Sequence, residues 1–130
     1  MELLTKLLVA CGVMGLLDFV WLGTIAKKFY RDEIGQLLLS KPNMPAALLF
    51  YAIYVVGVVL IAVNPAQSVS EAALKGGLFG FVAYATYDLT NLATMKGFSA
   101  KVAAVDMLWG ALLTAAVAAA AYAVAHWWLA

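Results

Sequence analysis

The 130-residue sequence has few charged residues, only three prolines, one cysteine and one histidine. The lone Cys11 excludes an internal disulfide, and one histidine is too few for a zinc site built from the usual ligands. No glycine-rich loop is joined to a lysine, which excludes a phosphate-binding loop of the nucleotide-hydrolase type. The formal net charge of +1 provides no basic surface for nucleic acid, so we expect no nucleic-acid partner.

Apolar residues dominate instead. They make up 66% of the chain, its mean hydropathy is +0.97, and only 12% of residues are charged, against roughly 25% in soluble domains. The apolar residues fall in four runs, at residues 3–26, 46–63, 72–95 and 102–129. Each run is close to or above the roughly 18 residues that cross a bilayer core as a helix. The sequence therefore predicts an all-α integral membrane protein, a single domain over residues 1–130 that forms a four-helix up-down bundle with membrane lipids around it.

Basic residues are distributed unevenly between the two sides of this predicted bundle. The loops after the first and third runs hold six of them: Lys27, Lys28, Arg31, Lys41, Lys96 and Lys101. Only Lys6 and Lys75 lie toward the opposite side. Because cytoplasmic loops of membrane proteins are rich in lysine and arginine, both loops are expected in the cytoplasm and both termini in the periplasm.

The connecting segments carry their own signals. Residues 27–45 alternate charged and apolar side chains at near-helical spacing, which predicts a short amphipathic cytoplasmic segment between the first two membrane helices. Ser70 and Ser99 are candidate helix N-caps. Gly76 and Gly80 have the spacing that allows two helix backbones to approach closely. A row of alanines on the last helix would also allow close approach. Because so small a bundle has little interior of its own, we expect a homo-oligomer or a membrane-protein partner.

Three aspartates interrupt the apolar runs. Asp18 lies nine residues before Lys27, Asp88 eight before Lys96, and Asp106 five after Lys101. At about 1.5 Å per helical residue they lie roughly 13, 12 and 8 Å from the cytoplasmic ends of their helices. Carboxylates are costly inside a bilayer and usually face the interior of a bundle, so the three acids are predicted to meet in one buried polar layer.

Other polar and aromatic side chains occur at the same depth. Asn91 lies one helical turn from Asp88, and the pattern Asp-x-x-Trp occurs twice, as Asp18 with Trp21 and Asp106 with Trp109. Tyr51 and Tyr54 of the second run reach a similar level. The predicted ligand-binding or proton-binding residues are Asp18, Asp88, Asn91, Asp106, Trp21, Tyr84, Tyr87 and Trp109. The sequence indicates no catalytic residue and no cofactor, and it leaves a metal ion open.

Two interpretations of the acidic layer remain open. The acids can bind a proton, a cation or a small polar ligand, or they can accept hydrogen bonds from tryptophan, tyrosine and threonine and so hold the helices together. At the level of function, the first interpretation predicts a binding or translocating protein. The alternatives are an accessory subunit of a larger membrane complex and an enzyme that modifies lipid headgroups, the latter using a divalent ion.

Two blocks of sequence resemble a known family. "YATYDLTNLATMKGFSAKVAAVDMLWG", residues 84–110, and "LLDFVWLG", residues 16–23, are similar to a family of small bacterial inner-membrane proteins of unknown function, defined as a domain of unknown function. The resemblance covers nearly the whole chain. It implies a location in the bacterial inner membrane and the same count of four helices, and it implies no activity and no catalytic residues.

Overall fold

A computed structural model of the chain describes residues 2–38 and 41–129. The fold is all-α, as the sequence predicts. The α-helices are α1 (Glu2–Val20), α2 (Lys27–Ile34), α3 (Met44–Gly57), α4 (Val69–Thr94) and α5 (Ala100–Leu129). Five helices therefore replace the expected four, because the amphipathic segment after the first apolar run folds into a helix of its own, α2.

Two of the helices continue as wider π-helical turns. Trp21–Ile25 extends α1 and Val58–Val63 extends α3. With these extensions, the described part of the chain contains three helices that are long and apolar enough to cross a membrane: Glu2–Ile25, Met44–Val63 and Ala100–Trp128. The helix α4, which contains the third apolar run, is not among them, because Lys75, Asp88 and Asn91 lower its hydropathy.

Side chains cap the starts of three helices. The Asn43 side chain accepts a hydrogen bond from the Ala46 amide at 3.2 Å and begins α3. Ser99 accepts one from the Val102 amide at 3.2 Å, which confirms the predicted cap of α5. The prediction of Ser70 as the cap of α4 is wrong, because Ser68 accepts from the Glu71 amide at 3.0 Å. Because the cap is Ser68, α4 begins two residues earlier than predicted and Ser70 lies in its first turn.

The helices α4 and α5 share the largest helix–helix interface of the described residues, and glycines allow their backbones to approach closely. A Cβ atom placed on Gly76 would lie 2.6 Å from the Ala118 Cβ atom, and one on Gly80 would collide with the Gly110 carbonyl oxygen. Residue numbers rise along α4 as they fall along α5 in these contacts, so the two helices are antiparallel. The predicted close approach at the glycines is therefore made within one chain.

The remaining helices pack around this pair. The N-terminal part of α1 reaches the α3–α4 connection, where Lys6 Nζ donates to Asn64 Oδ1 at 2.8 Å. At the other end of the molecule, α2 lies against the α4–α5 turn, where the Ser99 hydroxyl donates to Glu33 Oε1 at 2.6 Å. The helix α1 packs mainly on α5 and also touches α3.

The outward-facing surface of the long helices is apolar. Leucine, isoleucine and phenylalanine side chains are exposed along α1, α3 and α4, among them Phe19, Leu49, Ile53, Leu74 and Leu78. A soluble domain would turn such residues inward, whereas a chain surrounded by lipid can leave them outside. The buried core between the helices is made largely of alanine and valine, small residues that let helices lie close together.

Candidate functional site

Asp18 is buried and fully partnered. Its side chain is 6% exposed, and its two carboxylate oxygens accept different hydrogen bonds. Trp109 Nε1 donates to Oδ1 at 3.0 Å, and the Tyr51 hydroxyl donates to Oδ2 at 2.6 Å. These bonds join α1 to α5 and to α3. The interpretation of this acid as a hydrogen-bonding link between helices therefore describes its contacts well.

An aromatic connection leads from Asp18 to the second acid. The ring of Trp109 stacks on that of Trp21, with centroids 4.5 Å apart and planes within 9° of parallel. Trp21 Nε1 donates to the Tyr30 hydroxyl at 3.3 Å, and that hydroxyl donates to Asp106 Oδ1 at 2.8 Å. The two Asp-x-x-Trp patterns thus meet through their tryptophans, and α2 supplies the tyrosine that completes the connection.

Asp88 differs from the other two acids. It is 0% exposed, and neither carboxylate oxygen has a hydrogen-bond partner within residues 2–38 and 41–129. Its acidic neighbour is Asp106 of α5. An ionised carboxylate buried without a partner is unfavourable by several kcal/mol or more. This position therefore requires a proton, a cation or another hydrogen-bond donor to be satisfied.

A cavity of about 390 Å³ adjoins this pair of acids. It lies between α2, the end of α4 and the start of α5. Its polar lining comes from Lys27, Tyr30, Arg31, Tyr87, Asp88 and Asp106, and its apolar lining from Leu22, Ile34, Leu38, Phe98 and Val102. The volume is within the range of roughly 300 to 1,000 Å³ typical of small-molecule sites. We call this space the acidic cavity.

Two further cavities border the same region. One of about 310 Å³ lies between α3, α4 and α5 and shares Tyr87 and Asp106 with the acidic cavity. Its other lining residues are Phe50, Tyr54, Ala83 and Tyr84. The second, of about 680 Å³, is a more open space between α1 and α3 that reaches Asp18 and Tyr51. Asp106 thus lies between two cavities, whereas Asp18 borders a third.

Tyr84 is held by α5. Its ring packs directly on Gly110, where any larger residue would overlap it, and it meets the ring of Tyr54 edge to face at 6.1 Å. The Tyr54 hydroxyl is in turn 2.6 Å from that of Thr114, a fully buried residue of α5. The aromatic side chains here therefore come from α3 as well as from α4, and α5 packs against them through Gly110 and Thr114.

Asn91 and Tyr87 are less enclosed than predicted. Tyr87 is 59% exposed and packs edge to face against Phe98, although it lines both cavities beside Asp106. Asn91 is half-buried and lies beside Tyr87, one helical turn further along α4. The geometry brings Asp88, Asp106 and Tyr87 to the acidic cavity and leaves Asn91 beside it.

Sequence reasoning missed three polar residues of the acidic cavity, and all three are on α2. Tyr30 bonds Asp106, while Lys27 and Arg31 line the cavity wall. The signal was available in the amphipathic pattern of α2, because these residues recur at intervals of three and four and so share one helix face. What the pattern could not indicate is that this face turns toward the acids.

The geometry does not gather the three acids into a metal site. Within the described residues, no group of three or more histidine, cysteine, aspartate or glutamate side chains is placed to hold a metal ion. Asp18 is occupied by Trp109 and Tyr51, which leaves Asp88 and Asp106 as a pair. A pair of carboxylates with nearby tyrosines suits a proton or an organic ammonium group better than a multidentate divalent ion.

Comparison with known proteins identifies the family. The model of a family described as "Predicted membrane protein (DUF2177)" matches residues 3–123. No curated protein and no solved structure matches the sequence. The chain belongs to the DUF2177 family, a membrane protein family of unknown function, and the resemblance noted from its two sequence blocks is confirmed.

Proposed function

We propose that this member of the DUF2177 family is a multi-pass membrane protein whose acidic cavity binds a proton, a cation or the cationic group of a small polar ligand. The observation that carries the proposal is Asp88, a fully buried carboxylate without a hydrogen-bond partner among the described residues, at the wall of a cavity. A second carboxylate, that of Asp106, lines the same cavity and can also interact with a bound positive charge.

A four-span topology accompanies this proposal. The helix α4 has 26 residues and so a length of roughly 39 Å at about 1.5 Å per residue, which exceeds the roughly 30 Å of a bilayer core. It packs antiparallel along α5, a candidate span, over most of that length. A helix held along a spanning neighbour is expected to cross with it, and Asp88, the carboxylate in its apolar stretch, is tolerated because it is buried in the interior.

The orientation follows from charge. Lys6 and Lys75 are neutralised at the end that carries the α3–α4 connection, since each forms an ion pair with a glutamate, at 3.0 and 3.7 Å. The six other basic residues lie at the opposite end. We therefore propose a bacterial inner-membrane protein with α2 and the α4–α5 turn in the cytoplasm and both termini in the periplasm.

Cysteine labelling tests the crossing of α4. In a Cys11→Ser background, Gln67→Cys places a thiol in the α3–α4 connection and Lys96→Cys one in the α4–α5 turn. A membrane-impermeant maleimide added to intact spheroplasts should label Gln67→Cys at once and Lys96→Cys only after permeabilisation. Labelling of both from the same side would refute the crossing of α4.

Asp106 accepts a hydrogen bond from the Tyr30 hydroxyl, whereas Asp88 has no such donor among the described residues. The Tyr30 hydroxyl lies outside the membrane-spanning helices, and burial together with the Asp106 carboxylate raises its pKa above the ordinary tyrosine value. The hydroxyl therefore stays protonated and donates to Asp106. Since Asp106 accepts from a tyrosine and Asp88 has no donor among the described residues, a ligand's ammonium group would supply the hydrogen bonds that Asp88 lacks.

Native mass spectrometry of the gently extracted protein tests the binding proposal. The wild type is compared with Asp88→Asn and with Asp32→Asn, a matched control because Asp32 is exposed on α2 and lies outside the acidic cavity. We expect a retained small molecule in the wild type and the control and its loss in Asp88→Asn. An identical spectrum for all three proteins, at neutral and at low pH, would contradict the proposal.

The same spectra address the alternatives. An accessory subunit of a larger complex would retain a protein partner in all three variants, and a homo-oligomer would appear as a multiple of the chain mass. A headgroup-modifying enzyme would require a divalent ion, so added Mg²⁺ should then raise the unfolding temperature of the wild type. None of these alternatives predicts a special sensitivity to Asp88→Asn in the absence of metal.

A further inference from the structure

We infer that the ligand of the acidic cavity is a zwitterion with a primary ammonium group at Asp88 and Asp106 and a phosphate group at Lys27 and Arg31. The inference rests on the proposed function, because it names the ligand class of the same site. It adds a second half to that site, which is provided by α2 and was not part of the predicted acidic layer.

Lys27 and Arg31 are placed as a pair. They are four residues apart on α2 and therefore project from the same helix face, and both line the cavity that Asp88 and Asp106 line from α4 and α5. Within the described residues neither side chain lies in an ion pair with a carboxylate. Two basic groups and two acidic groups thus border one cavity of about 390 Å³ without meeting each other.

This arrangement disfavours ligands of a single charge sign. A simple cation at Asp88 would be repelled by the positive charges of Lys27 and Arg31. A simple anion at Arg31 would likewise be repelled by the two carboxylates. A ligand with both charges satisfies all four side chains. Arginine beside lysine favours phosphate as the anionic group, because a guanidinium can donate two hydrogen bonds to phosphate oxygens and lysine adds a second positive charge.

The apolar lining of the cavity and its position near the ends of the long helices indicate where such a ligand could come from. The lining between the charged groups is apolar, with Leu22, Ile34 and Phe98 among its residues. The cavity lies where the ends of the long helices meet the interfacial helix α2, at the expected depth of lipid headgroups. A phosphoethanolamine headgroup of a membrane lipid and free phosphoethanolamine have the required chemistry in common.

Binding measurements on the detergent-purified full chain test the ligand class. The probes are O-phosphoethanolamine, ethanolamine and inorganic phosphate, each followed by isothermal titration calorimetry. We expect O-phosphoethanolamine to bind at least about tenfold more tightly than either single-charge probe. The double substitution Lys27→Gln with Arg31→Gln should remove this preference, and the affinity for ethanolamine should stay the same or rise because two like charges are removed. The matched control is Lys28→Gln with Lys96→Gln, which removes the same charge outside the cavity and should keep the preference.

The outcomes separate this inference from the proposed function. Equal binding of ethanolamine and O-phosphoethanolamine, lost in Asp88→Asn, would overturn the zwitterion and retain the cation site. Binding of phosphate as tight as that of O-phosphoethanolamine would overturn the ammonium half. If no probe bound, and if Asp88→Asn left the native mass spectrum unchanged, both the zwitterion inference and the proposed cation site would be refuted.

A second arm distinguishes the sources. The protein is reconstituted in nanodiscs of equal parts phosphatidylethanolamine and phosphatidylglycerol, released, and examined by native mass spectrometry. Selective retention of phosphatidylethanolamine, lost on substitution of Lys27 and Arg31, identifies the lipid headgroup as ligand. Tight binding of O-phosphoethanolamine with no such selection identifies the free zwitterion.

Discussion

Trp109 Nε1 donates a hydrogen bond to Asp18 Oδ1 at 3.0 Å and thereby ties α5 to α1. The same indole ring stacks on Trp21, whose Nε1 leads through Tyr30 to Asp106. One tryptophan therefore connects an acid with a structural role to an acid at the proposed ligand site. The two acids therefore differ in role: Asp18 is hydrogen-bonded by Trp109 and Tyr51, whereas Asp88 has no hydrogen-bond partner within residues 2–38 and 41–129.

Asp18→Asn should destabilise the protein. An amide has one acceptor oxygen for the two donors that Asp18 now serves, so either the Trp109 or the Tyr51 hydrogen bond is lost. We expect a decrease of about 1 kcal/mol in the free energy of unfolding. Thermal or denaturant unfolding in detergent measures it, with the exposed Asp32→Asn as control. A stability equal to that of the wild type would show that the Asp18 bonds contribute nothing net.

Asp88→Asn should leave the stability unchanged or raise it. The substitution removes a buried carboxylate that has no hydrogen-bond partner among the described residues, and asparagine keeps nearly the same shape and packing. The expected change is within about 0.5 kcal/mol or in the stabilising direction. The measurement is the same unfolding experiment. A loss as large as that of Asp18→Asn would mean that Asp88 acts as a structural link.

Gly80→Ala should disrupt the pairing of α4 with α5. A Cβ atom at this position would collide with the Gly110 carbonyl oxygen and with Thr114, so the helices must move apart. Overpacking of this kind costs about 1 to 3 kcal/mol. The matched control is Gly12→Ala, where an added Cβ atom meets nothing within 4 Å. Unfolding temperatures of the two variants provide the comparison, and equal values would contradict the close approach.

Removing two hydroxyl groups should loosen α2. Tyr30→Phe deletes the hydrogen bond to Asp106 of α5. Ser99→Ala deletes the hydrogen bond between Glu33 of α2 and Ser99, the N-cap of α5. The double variant therefore lacks both side-chain hydrogen bonds described between α2 and this part of the chain. We expect faster cleavage by trypsin at Lys27, Lys28 or Arg31 in detergent. The control is Tyr122→Phe, near the opposite end of α5. Unchanged cleavage would show that apolar packing alone holds α2.

Part of the site was predictable because depth in a membrane helix can be counted. The levels of Asp18, Asp88 and Asp106 follow from the rise of about 1.5 Å per residue and from the basic residue at the predicted cytoplasmic end of each helix. Counting cannot determine rotation about the helix axis. It therefore could not separate Asp18, which turns toward Trp109 and Tyr51, from the pair that lines the acidic cavity.

The sequence by itself determined that this is an all-α membrane protein with long apolar helices, because hydrocarbon requires each long apolar run to satisfy its own backbone as a helix. It also predicted a close helix approach at Gly76 and Gly80, although only the structure identified α5 as the partner helix. The tertiary structure alone decided that α2 folds back over the acids and brings Tyr30, Lys27 and Arg31 to them. The physical reason is that an amphipathic pattern specifies which face of a helix is polar, whereas the neighbour of that face depends on how the whole chain packs.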